Sequence, residues 1–521
     1  MISKLSSHKN KIFVLFLIFF SVIINQYYGS RGVFPLDSFH FFDAGYRVLE
    51  GDIPFMDYWL VKGPLLDYMQ AVLFYIFGVN WQTYLLHASI INASMAVATF
   101  FVLKNFNLNT FYCFFYAFLF SILAYPSSGT PFIDHHSAFF SLLGIYSFLL
   151  AIKNQKKVYW LLIPLFLILA FFSKQVPAAY IILSIGFILL IYSSVNKKLD
   201  YIKYTFISSS FFIILVLIFG KYQGIIFNSF LDQYIFYPQT IGADRFKNIS
   251  LTFNNLIGNF KFIWIVAIPL FYENFRKILF NKNYLKDSNF YIFLTLFFLI
   301  ISLILHQLLT KNQIFIFFLI PILTAFSHLA LNNSKLKFKK IISVIIILIC
   351  LFATFKYHLR FNENRKFHEL VNVNFDLAID ATKIHYKLSG LNWITPQFKD
   401  NPKQEINIIN QIQSYLKNDP RNKMVITNYP FFSVILNQNL LAPSRVYTGD
   451  GTTHPIKGNK YTSNYKELMD HLISKNNISV IYMIDNDKEN LNFHYIESYR
   501  HCFKEVLLFE QLVSYELKDC I

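Results

Sequence analysis

Charge is scarce in this sequence. Only 15% of its 521 residues are charged, whereas soluble domains average about 25%. Hydrophobic residues make up 55% of the chain and aromatic residues 19%. This composition excludes an ordinary soluble globular protein and predicts an integral membrane protein.

Acidic residues are fewer than basic ones: 30 Asp and Glu stand against 47 Lys and Arg, which gives a net charge of +17. A basic excess can indicate a nucleic-acid-binding face. Here the basic residues gather at the ends of apolar runs, which is typical of the cytoplasmic loops of membrane proteins. We therefore expect no nucleic-acid partner. The clusters are Lys4, Lys9 and Lys11; Lys153, Lys156 and Lys157; Lys197, Lys198 and Lys203; Arg276, Lys277, Lys282 and Lys286; and Lys335, Lys337, Lys339 and Lys340.

Cysteine is rare, and a signal-peptide cleavage site is missing. Cys113 and Cys350 lie in apolar runs, which predicts buried core positions. Cys502 and Cys520 lie in the C-terminal region, where a disulfide is allowed but is not decided by spacing. Basic residues precede the apolar run 12–27, yet no small-residue cleavage site follows, so we expect a retained first span.

Eleven apolar runs approach the length of about 20 residues that a membrane span needs. With the N-terminus inside, the Lys- and Arg-bearing connections after spans two, four, six, eight and ten all fall on one side, as the positive-inside rule requires. The first predicted outer loop is then 28–82, and everything after 357 also lies outside. The eleven runs are 12–27, 83–103, 110–125, 137–152, 158–172, 178–194, 204–220, 256–272, 290–306, 314–331 and 340–356.

The C-terminal region has a different character, because charge and Asn rise and the apolar runs shorten. Residues 423–427 and 478–484 predict strands, 464–474 a helix and 506–517 a pair of short strands. We therefore expect a transmembrane domain over 1–356 and a small α/β domain over 357–521. The chain is predicted to be a multi-pass inner (plasma) membrane protein whose C-terminal domain is periplasmic or extracellular.

The first predicted outer loop begins with a helical pattern. Residues 38–49 have an aromatic face, which predicts a helix lying on the membrane surface with its rings among the headgroups. Asp37 stands where an N-cap is expected. Asp43 and Arg47 are four residues apart on this helix and could simply pair with each other, so Asp43 is not taken as a site candidate.

A second short helix is predicted over 64–78, starting at a proline. Tyr58 and Trp59 precede it and are typical membrane-interface anchors. Anchoring does not explain why Asp57 and Lys62 share this loop with Asp37, since ionisable groups beside lipid are expensive unless they are solvated or functional.

The motifs Pro35-Leu36-Asp37 and Asp57-Tyr58-Trp59-Leu60-Val61-Lys62-Gly63-Pro64 resemble the first outer loop of GT-C class glycosyltransferases. Related families are the bacterial protein-mannosyltransferase-like proteins and the aminoarabinose transferases that modify lipid A. The resemblance implies a polytopic α-helical fold with the C-terminal domain on the outer face. It implies transfer of a sugar from a polyprenyl-phosphate carrier to an envelope lipid, glycan or protein.

The resemblance also implies roles for residues. Asp37 corresponds to the general base that takes the proton of the acceptor hydroxyl, and Asp57 is expected as a second acid or a metal ligand. Lys62 is expected to contact the carrier phosphate. The sequence differs from its relatives at Ser38 and Gly63, where they often have Glu and Pro.

Other predicted outer segments carry further candidates. Asp134, His135 and His136 stand together before the fourth span, where a polar cap and a functional cluster are both open interpretations. A divalent metal cation is the one cofactor expected, with Asp57 and His135 as ligands. Lys174 interrupts spans five and six at headgroup depth, either as a phosphate ligand or as a snorkelling lysine. The remaining candidates are Lys311 and Arg245 for the carrier phosphate and Tyr234 for the site.

The sequence leaves two alternative functions open. A surface-glycan polymerase or ligase also has many spans, but usually places its main outer loop late in the chain. A transporter or flippase predicts charges in mid-span and often internal repeats, and the sequence shows neither. The sugar transferase is therefore the favoured function.

The distribution of Lys and Arg makes a first testable prediction. A reporter that works only in the outer compartment, such as a periplasmic phosphatase, is expected to be active when it is fused after Cys520. A fusion that is active only in the cytoplasm would overturn the topology.

Overall fold

The computed structural model describes residues 2–125, 129–281, 283–310, 316–484 and 493–518. The chain divides into two compact units. The helical unit comprises Met1–Tyr28, Ala88–Leu217 and Asn248–Phe367, and the mixed unit comprises Gly29–His87, Ile218–Lys247 and His368–Ile521. The first predicted outer loop thus belongs to the same unit as the C-terminal region.

Each of the eleven apolar runs corresponds to a helix, as predicted. Their bounds are Ile2–Gly29, Trp81–Asn105, Thr110–Leu123, Ile133–Asn154, Lys157–Ser173, Gln175–Val195, Asp200–Tyr222, Lys261–Phe280, Ser288–Thr310, Leu319–Asn332 and Lys339–His358. Single turns of helix occur at Asn254–Gly258, Tyr284–Lys286, Leu359–Glu363 and Lys366–His368.

Seven helices in the described part of the chain are long and apolar enough to cross a membrane. Thr110–Leu123, Lys157–Ser173 and Leu319–Asn332 are apolar but shorter, and Lys261–Phe280 carries Glu273 and Arg276. The polytopic α-helical class is confirmed. The count of eleven spans and their orientation stay predictions.

The mixed unit contains short helices and two small sheets. Its helices are Pro35–Ser38, His40–Leu49, Leu65–Phe77, Phe227–Phe230, Leu231–Phe236, Tyr237–Lys247, Phe375–Leu377, Ala381–Lys383, Tyr386–Leu388, Pro402–Asn418, Phe432–Leu436, Thr462–Lys475 and Phe493–Glu497. Leu65–Phe77 matches the predicted second loop helix and ends at Gly78, whose φ of 84° suits glycine.

The strands confirm the predicted small α/β architecture. β1 (Ile379–Asp380) and β2 (Asn392–Trp393) form an antiparallel pair. The larger sheet has the order β3-β4-β6-β5, with β3 parallel to β4 and the other neighbours antiparallel. Every residue of β4 is buried, as its continuous apolar sequence predicts. The larger sheet's strands are β3 (Lys423–Ile426), β4 (Val480–Ile484), β5 (Phe503–Phe509) and β6 (Leu512–Leu517).

The predicted placement of the first-loop aromatics at the headgroup layer is wrong. Phe39 is fully buried, with ring centroids 5.1 Å from Trp81, 4.8 Å from Phe431 and 5.9 Å from Trp393. Phe42 is buried as well. The aromatic face therefore packs against protein, because burial between rings removes more apolar surface than a headgroup layer would.

The cysteines follow their sequence environment. Cys113 and Cys350 are free and buried, as predicted. Cys502 is disulfide-bonded. Cys520 lies outside the described residues, so its pairing with Cys502 stays a prediction.

Two helices of the mixed unit meet at Gly45. A Cβ at Gly45 would lie 2.4 Å from Cγ of Gln70 on Leu65–Phe77, whereas a Cβ at Gly242 would meet nothing within 4 Å. Gly45→Ala is expected to destabilise the fold by about 1–3 kcal/mol through overpacking. Gly242→Ala, the helical control, is expected to be neutral or stabilising. Equal melting temperatures for the two variants in detergent would contradict this packing.

Candidate functional site

A small cavity of about 10 Å³ lies inside the mixed unit. Its walls come from the first predicted outer loop and from the C-terminal region. The lining residues are His40, Trp59, Val61, Lys62, Arg445, Val446 and Thr453. Lys62, predicted from the sequence as a phosphate ligand, is thus on a cavity wall.

The loop around Lys62 is held by hydrogen bonds to distant segments of the same unit. The backbone N–H of Trp59 donates to the Pro443 carbonyl at 2.8 Å. Gln233 clamps the loop at two points: its Oε1 accepts from the Leu60 N–H at 2.9 Å, and its Nε2 donates to the Phe55 carbonyl at 2.8 Å. These bonds therefore hold the loop backbone in place up to two residues before Lys62.

Arg445 is anchored by a buried carboxylate. Its Nη1 donates to Asp67 Oδ1 at 2.5 Å, and the hydroxyl of Tyr58 donates to Asp67 Oδ2 at 2.8 Å. Asp67 is fully buried, and Arg445 is nearly so. Burial raises the pKa of Asp67, while Arg445 and the Tyr58 bond act in the opposite direction. The pair holds the guanidinium in one place on the cavity wall.

His40 is the third polar group on this wall, and it is neutral. Burial, together with the positive charges of Arg445 and Lys62, holds the pKa of His40 well below its ordinary value. Nε2 of His40 and Nε1 of Trp59 are buried without a hydrogen-bond partner among the described residues. Both nitrogens can therefore form a hydrogen bond with a molecule in the cavity.

Asp37 does not have the predicted capping role. It lies inside the short helix Pro35–Ser38 and is half-buried. The N-cap positions of this helix and of His40–Leu49 are Phe34 and Phe39, and neither of these two side chains makes a capping hydrogen bond. The cap assignment is therefore wrong, and the catalytic role of Asp37 stays a prediction.

Asp57 bonds to the backbone of its own loop and pairs with Lys475. Its Oδ2 accepts from the Ile53 N–H at 2.8 Å, and its Oδ1 lies 2.8 Å from Nζ of Lys475. Both carboxylate oxygens thus already have partners. Its role as second acid or metal ligand stays a prediction.

The predicted pair of Asp43 with Arg47 is replaced by hydrogen bonds from each side chain to other residues. Arg47 Nε donates to Asp52 Oδ2 at 2.7 Å, and its two other nitrogens donate to the carbonyls of Ala442 and Asp57. Asp43 Oδ1 instead accepts from the Ser433 hydroxyl at 2.5 Å. Tertiary partners therefore displace the helical i,i+4 pair, which contributes only about 0.2–0.5 kcal/mol.

Two other predicted residues, Asp134 and Lys174, lie together in the helical unit. Lys174 Nζ and His306 Nε2 each lie 2.7 Å from Oδ1 of Asp134. Asp134 and His306 are buried, and only 17% of the Lys174 side chain is exposed. Asp134 thus already takes up the charge of Lys174, and the phosphate-binding role of Lys174 stays a prediction.

The remaining candidates have mixed surroundings. His135 and His136 are buried, and Nδ1 of His136 lies 3.1 Å from the Tyr125 hydroxyl. Tyr234 is fully buried against the Phe55 and Phe230 rings. Burial raises the pKa of Asp450, but hydrogen bonds from Thr452 and Thr448 and the weaker effect of the Arg245 charge together lower that pKa overall. Lys311 lies outside the described residues.

No group of three or more His, Cys, Asp or Glu within the described ranges is arranged to hold a metal ion. The predicted metal ligands Asp57 and His135 belong to different units. Metal dependence stays a prediction.

Sequence reasoning did not predict His40, Asp67 or Arg445 as site residues. Asp67 had a usable signal, since it is an acid within the otherwise apolar helix Leu65–Phe77. Arg445 had none, because it lies in an irregular segment with no motif around it.

Solved structures of one enzyme resemble the chain over nearly its whole length. ArnT from Cupriavidus metallidurans bound to undecaprenyl phosphate is 9% identical with a TM-score of 0.49, and the match covers 96% of this chain and 97% of that chain. The apo structure of the same protein is 12% identical with a TM-score of 0.47, covering 97% and 98%. ArnT is a lipid A aminoarabinose transferase of the GT-C class that the first-loop motifs resemble.

No protein-family model and no curated protein matches the sequence. A structural likeness this distant carries no argument about activity.

Asp43 makes stability depend on pH. Burial raises the pKa of Asp43 to about 6, so the folded protein holds this proton more tightly than the unfolded chain. Stability is therefore expected to fall as pH rises from about 4 to 6, by about 3 kcal/mol for a shift of about two units. Asp43→Asn, whose amide oxygen can still accept from Ser433, should lack this component. Parallel melting-temperature profiles for both proteins over pH 4–7 would refute it.

Proposed function

We propose that the protein is an integral membrane glycosyltransferase. It moves a sugar from a polyprenyl-phosphate carrier to an envelope lipid, glycan or protein at the outer face. The observation that supports the proposal most is the cavity with Lys62 and Arg445 on its walls. Two cations at one small cavity, in a chain whose described residues include seven candidate spans, suit the phosphate of a lipid carrier.

The main chemical requirement of sugar transfer is stabilisation of the leaving phosphate. Transfer breaks the bond between the anomeric carbon and the phosphate oxygen, and the electron pair leaves with the phosphate. The acceptor oxygen forms the new bond to the same carbon. Because negative charge grows on the departing phosphate, a cation beside it stabilises the transition state. Lys62 is the residue proposed for this role.

The acceptor hydroxyl must lose a proton as its oxygen forms the new bond. Asp37 is the proposed general base, as the resemblance implies. It lies three residues before His40, which lines the cavity.

Asp37→Asn is expected to lower the rate of sugar transfer by about 10²–10⁴-fold, because a positioned base is lost. The measurement is transfer from a radiolabelled undecaprenyl-phosphate sugar to envelope acceptors by the purified protein. The control is Asp376→Asn, which removes an exposed acid of the same unit. Normal turnover in Asp37→Asn would move the base to Asp57 or Asp134, and carrier movement without sugar transfer would indicate a flippase.

Lys62→Met is expected to raise KM for the lipid-linked donor about 10- to 100-fold, which corresponds to the loss of one charge-assisted hydrogen bond. Lys460→Met is the matched control, since Lys460 is exposed in the same unit and does not line the cavity. An unchanged KM in a folded Lys62→Met protein would remove Lys62 from the site.

A further inference from the structure

A second cavity, of about 280 Å³, lies in the C-terminal part of the mixed unit. It is found at the carboxyl ends of the parallel strands β3 and β4, because Tyr429 follows β3 and Ile484 is the last residue of β4. Ligands of open α/β sheets bind in the crevice outside these strand ends. The cavity shares no lining residue with the one around Lys62 and Arg445.

One part of the cavity wall is polar and carries no positive charge. The side chains of Gln397, Glu405, Tyr429 and Gln511 supply its hydrogen-bonding groups. None of the described residues that line the cavity is Lys, Arg or His. An anionic ligand would meet a carboxylate with no cation beside it, so this wall favours a neutral ligand.

Glu405 is the buried polar group of this wall, since it is only 2% exposed. Its Oε2 accepts hydrogen bonds from Trp393 Nε1 and the Thr395 hydroxyl, each at 2.8 Å, and its Oε1 accepts from the Tyr429 hydroxyl at 3.0 Å. Each carboxylate oxygen can accept about two hydrogen bonds. Oε2 is therefore filled, whereas Oε1, bonded to a residue that lines the cavity, can accept one more.

The environment of Glu405 favours a hydroxyl as that additional partner. Burial raises the pKa of Glu405, although the bonds from Trp393, Thr395 and Tyr429 act in the opposite direction. An ammonium group needs the ionised carboxylate, and burial disfavours this form. A hydroxyl both donates and accepts, so it can pair with Glu405 in either protonation state.

The other part of the wall is apolar. Glu405, Ile408, Ile409 and Ile412 follow the spacing i, i+3, i+4, i+7 on the helix Pro402–Asn418, so the three isoleucines lie on the same face as the carboxyl group. This isoleucine face is extended by Phe398, Phe432 and Ile484. A purely apolar ligand would leave the polar wall unsatisfied, and a purely polar ligand would leave the apolar wall uncovered.

A sugar ring has the required combination of groups and the required size. A pyranose presents C–H groups on its faces and hydroxyls along its edge. A cavity of about 150 Å³ holds one benzene molecule, and a hexose has twice as many heavy atoms as benzene. The volume of about 280 Å³ therefore suits one sugar ring.

We propose that this cavity is a binding site for a neutral sugar ring. Glu405, Gln397 and Gln511 bond to the hydroxyls of the ring, and the isoleucine face packs against its C–H groups. The inference goes beyond the proposed function and does not rest on it, since the two cavities have separate linings. The ring is either a free sugar or the terminal unit of an envelope glycan, and these two sources share the same chemistry.

The direct test is binding of neutral sugars to the full chain, followed by saturation-transfer NMR. The protein is purified in a detergent without a sugar headgroup, because a glycosidic detergent would compete for the site. The probes are methyl glucoside, methyl galactoside and N-acetylglucosamine, with glucuronate as the anionic counterpart and cyclohexanol as the apolar one. At least one neutral sugar is expected to bind more tightly than both counterparts. Tighter binding of either counterpart than of every neutral sugar would overturn the inference.

A cavity-filling variant ties the signal to this site. Ile408→Trp occupies the cavity without removing a hydrogen bond of Glu405, so sugar binding is expected to be lost while the melting temperature stays near the wild-type value. Wild-type sugar affinity in the folded Ile408→Trp protein would overturn the inference.

The amide groups give a second test that does not disturb the core, because Gln397 is exposed and Gln511 is partly exposed. Gln397→Ala and Gln511→Ala are each expected to weaken sugar binding about 2- to 10-fold, as the loss of one hydrogen bond does. Gln411→Ala is the matched control, since Gln411 is exposed on the helix Pro402–Asn418 and does not line the cavity. Equal affinities in all three variants would contradict the assigned contacts.

The source of the ring and the independence of the site have separate readouts. Tighter binding of an oligosaccharide than of the methyl glycoside of its terminal unit supports an envelope glycan, and equal binding supports a free sugar. If the wild type transfers no sugar but binds a neutral sugar that Ile408→Trp does not bind, the inference stands and the transferase fails. If the wild type transfers sugar but no neutral sugar binds in a manner sensitive to Ile408→Trp, the function stands and the inference fails.

Discussion

The mixed unit depends on one buried ion pair. Asp67 and Arg445 are 378 positions apart in sequence, yet their atoms lie 2.5 Å from each other with almost no exposure. Neither charge is tolerable alone in such a site, since breaking a buried pair typically costs about 3–5 kcal/mol. The helix Leu65–Phe77 and the segment around Arg445 must therefore come together for either to be stable, and the cavity forms where they meet.

Other polar bonds extend this constraint. Arg47 reaches the Ala442 carbonyl, Asp43 receives the Ser433 hydroxyl, and Gln233 clamps the loop before Lys62. Each bond joins segments that are distant in sequence but belong to one unit. Buried polar groups of this kind favour one arrangement, because any other arrangement leaves them unsatisfied. The position of Lys62 on a cavity wall follows from these bonds.

Local signals were sufficient for secondary structure and for naming Lys62, which lines the candidate cavity. The helix Leu65–Phe77, the strand Val480–Ile484 and the burial of Cys350 follow from short-range composition and spacing. Lys62 was found because it stands in a recognisable motif. The Asp37 cap and the Asp43–Arg47 pair were wrong, because a neighbour in sequence was assumed to be the partner in space.

The sequence by itself determined a polytopic helical membrane protein with a small C-terminal α/β region, because hydropathy, charge placement and alternation are properties of contiguous residues. It also determined which loop carries unusual acids and a lysine. Only the tertiary structure decided that His40, Trp59, Lys62 and Arg445 share one cavity, and that Asp67 holds Arg445 there. These partners lie hundreds of residues apart in sequence, and they pair because a buried charge or polar group loses its water and needs a partner. That burial depends on the folded structure, so the residues adjacent in sequence do not reveal it.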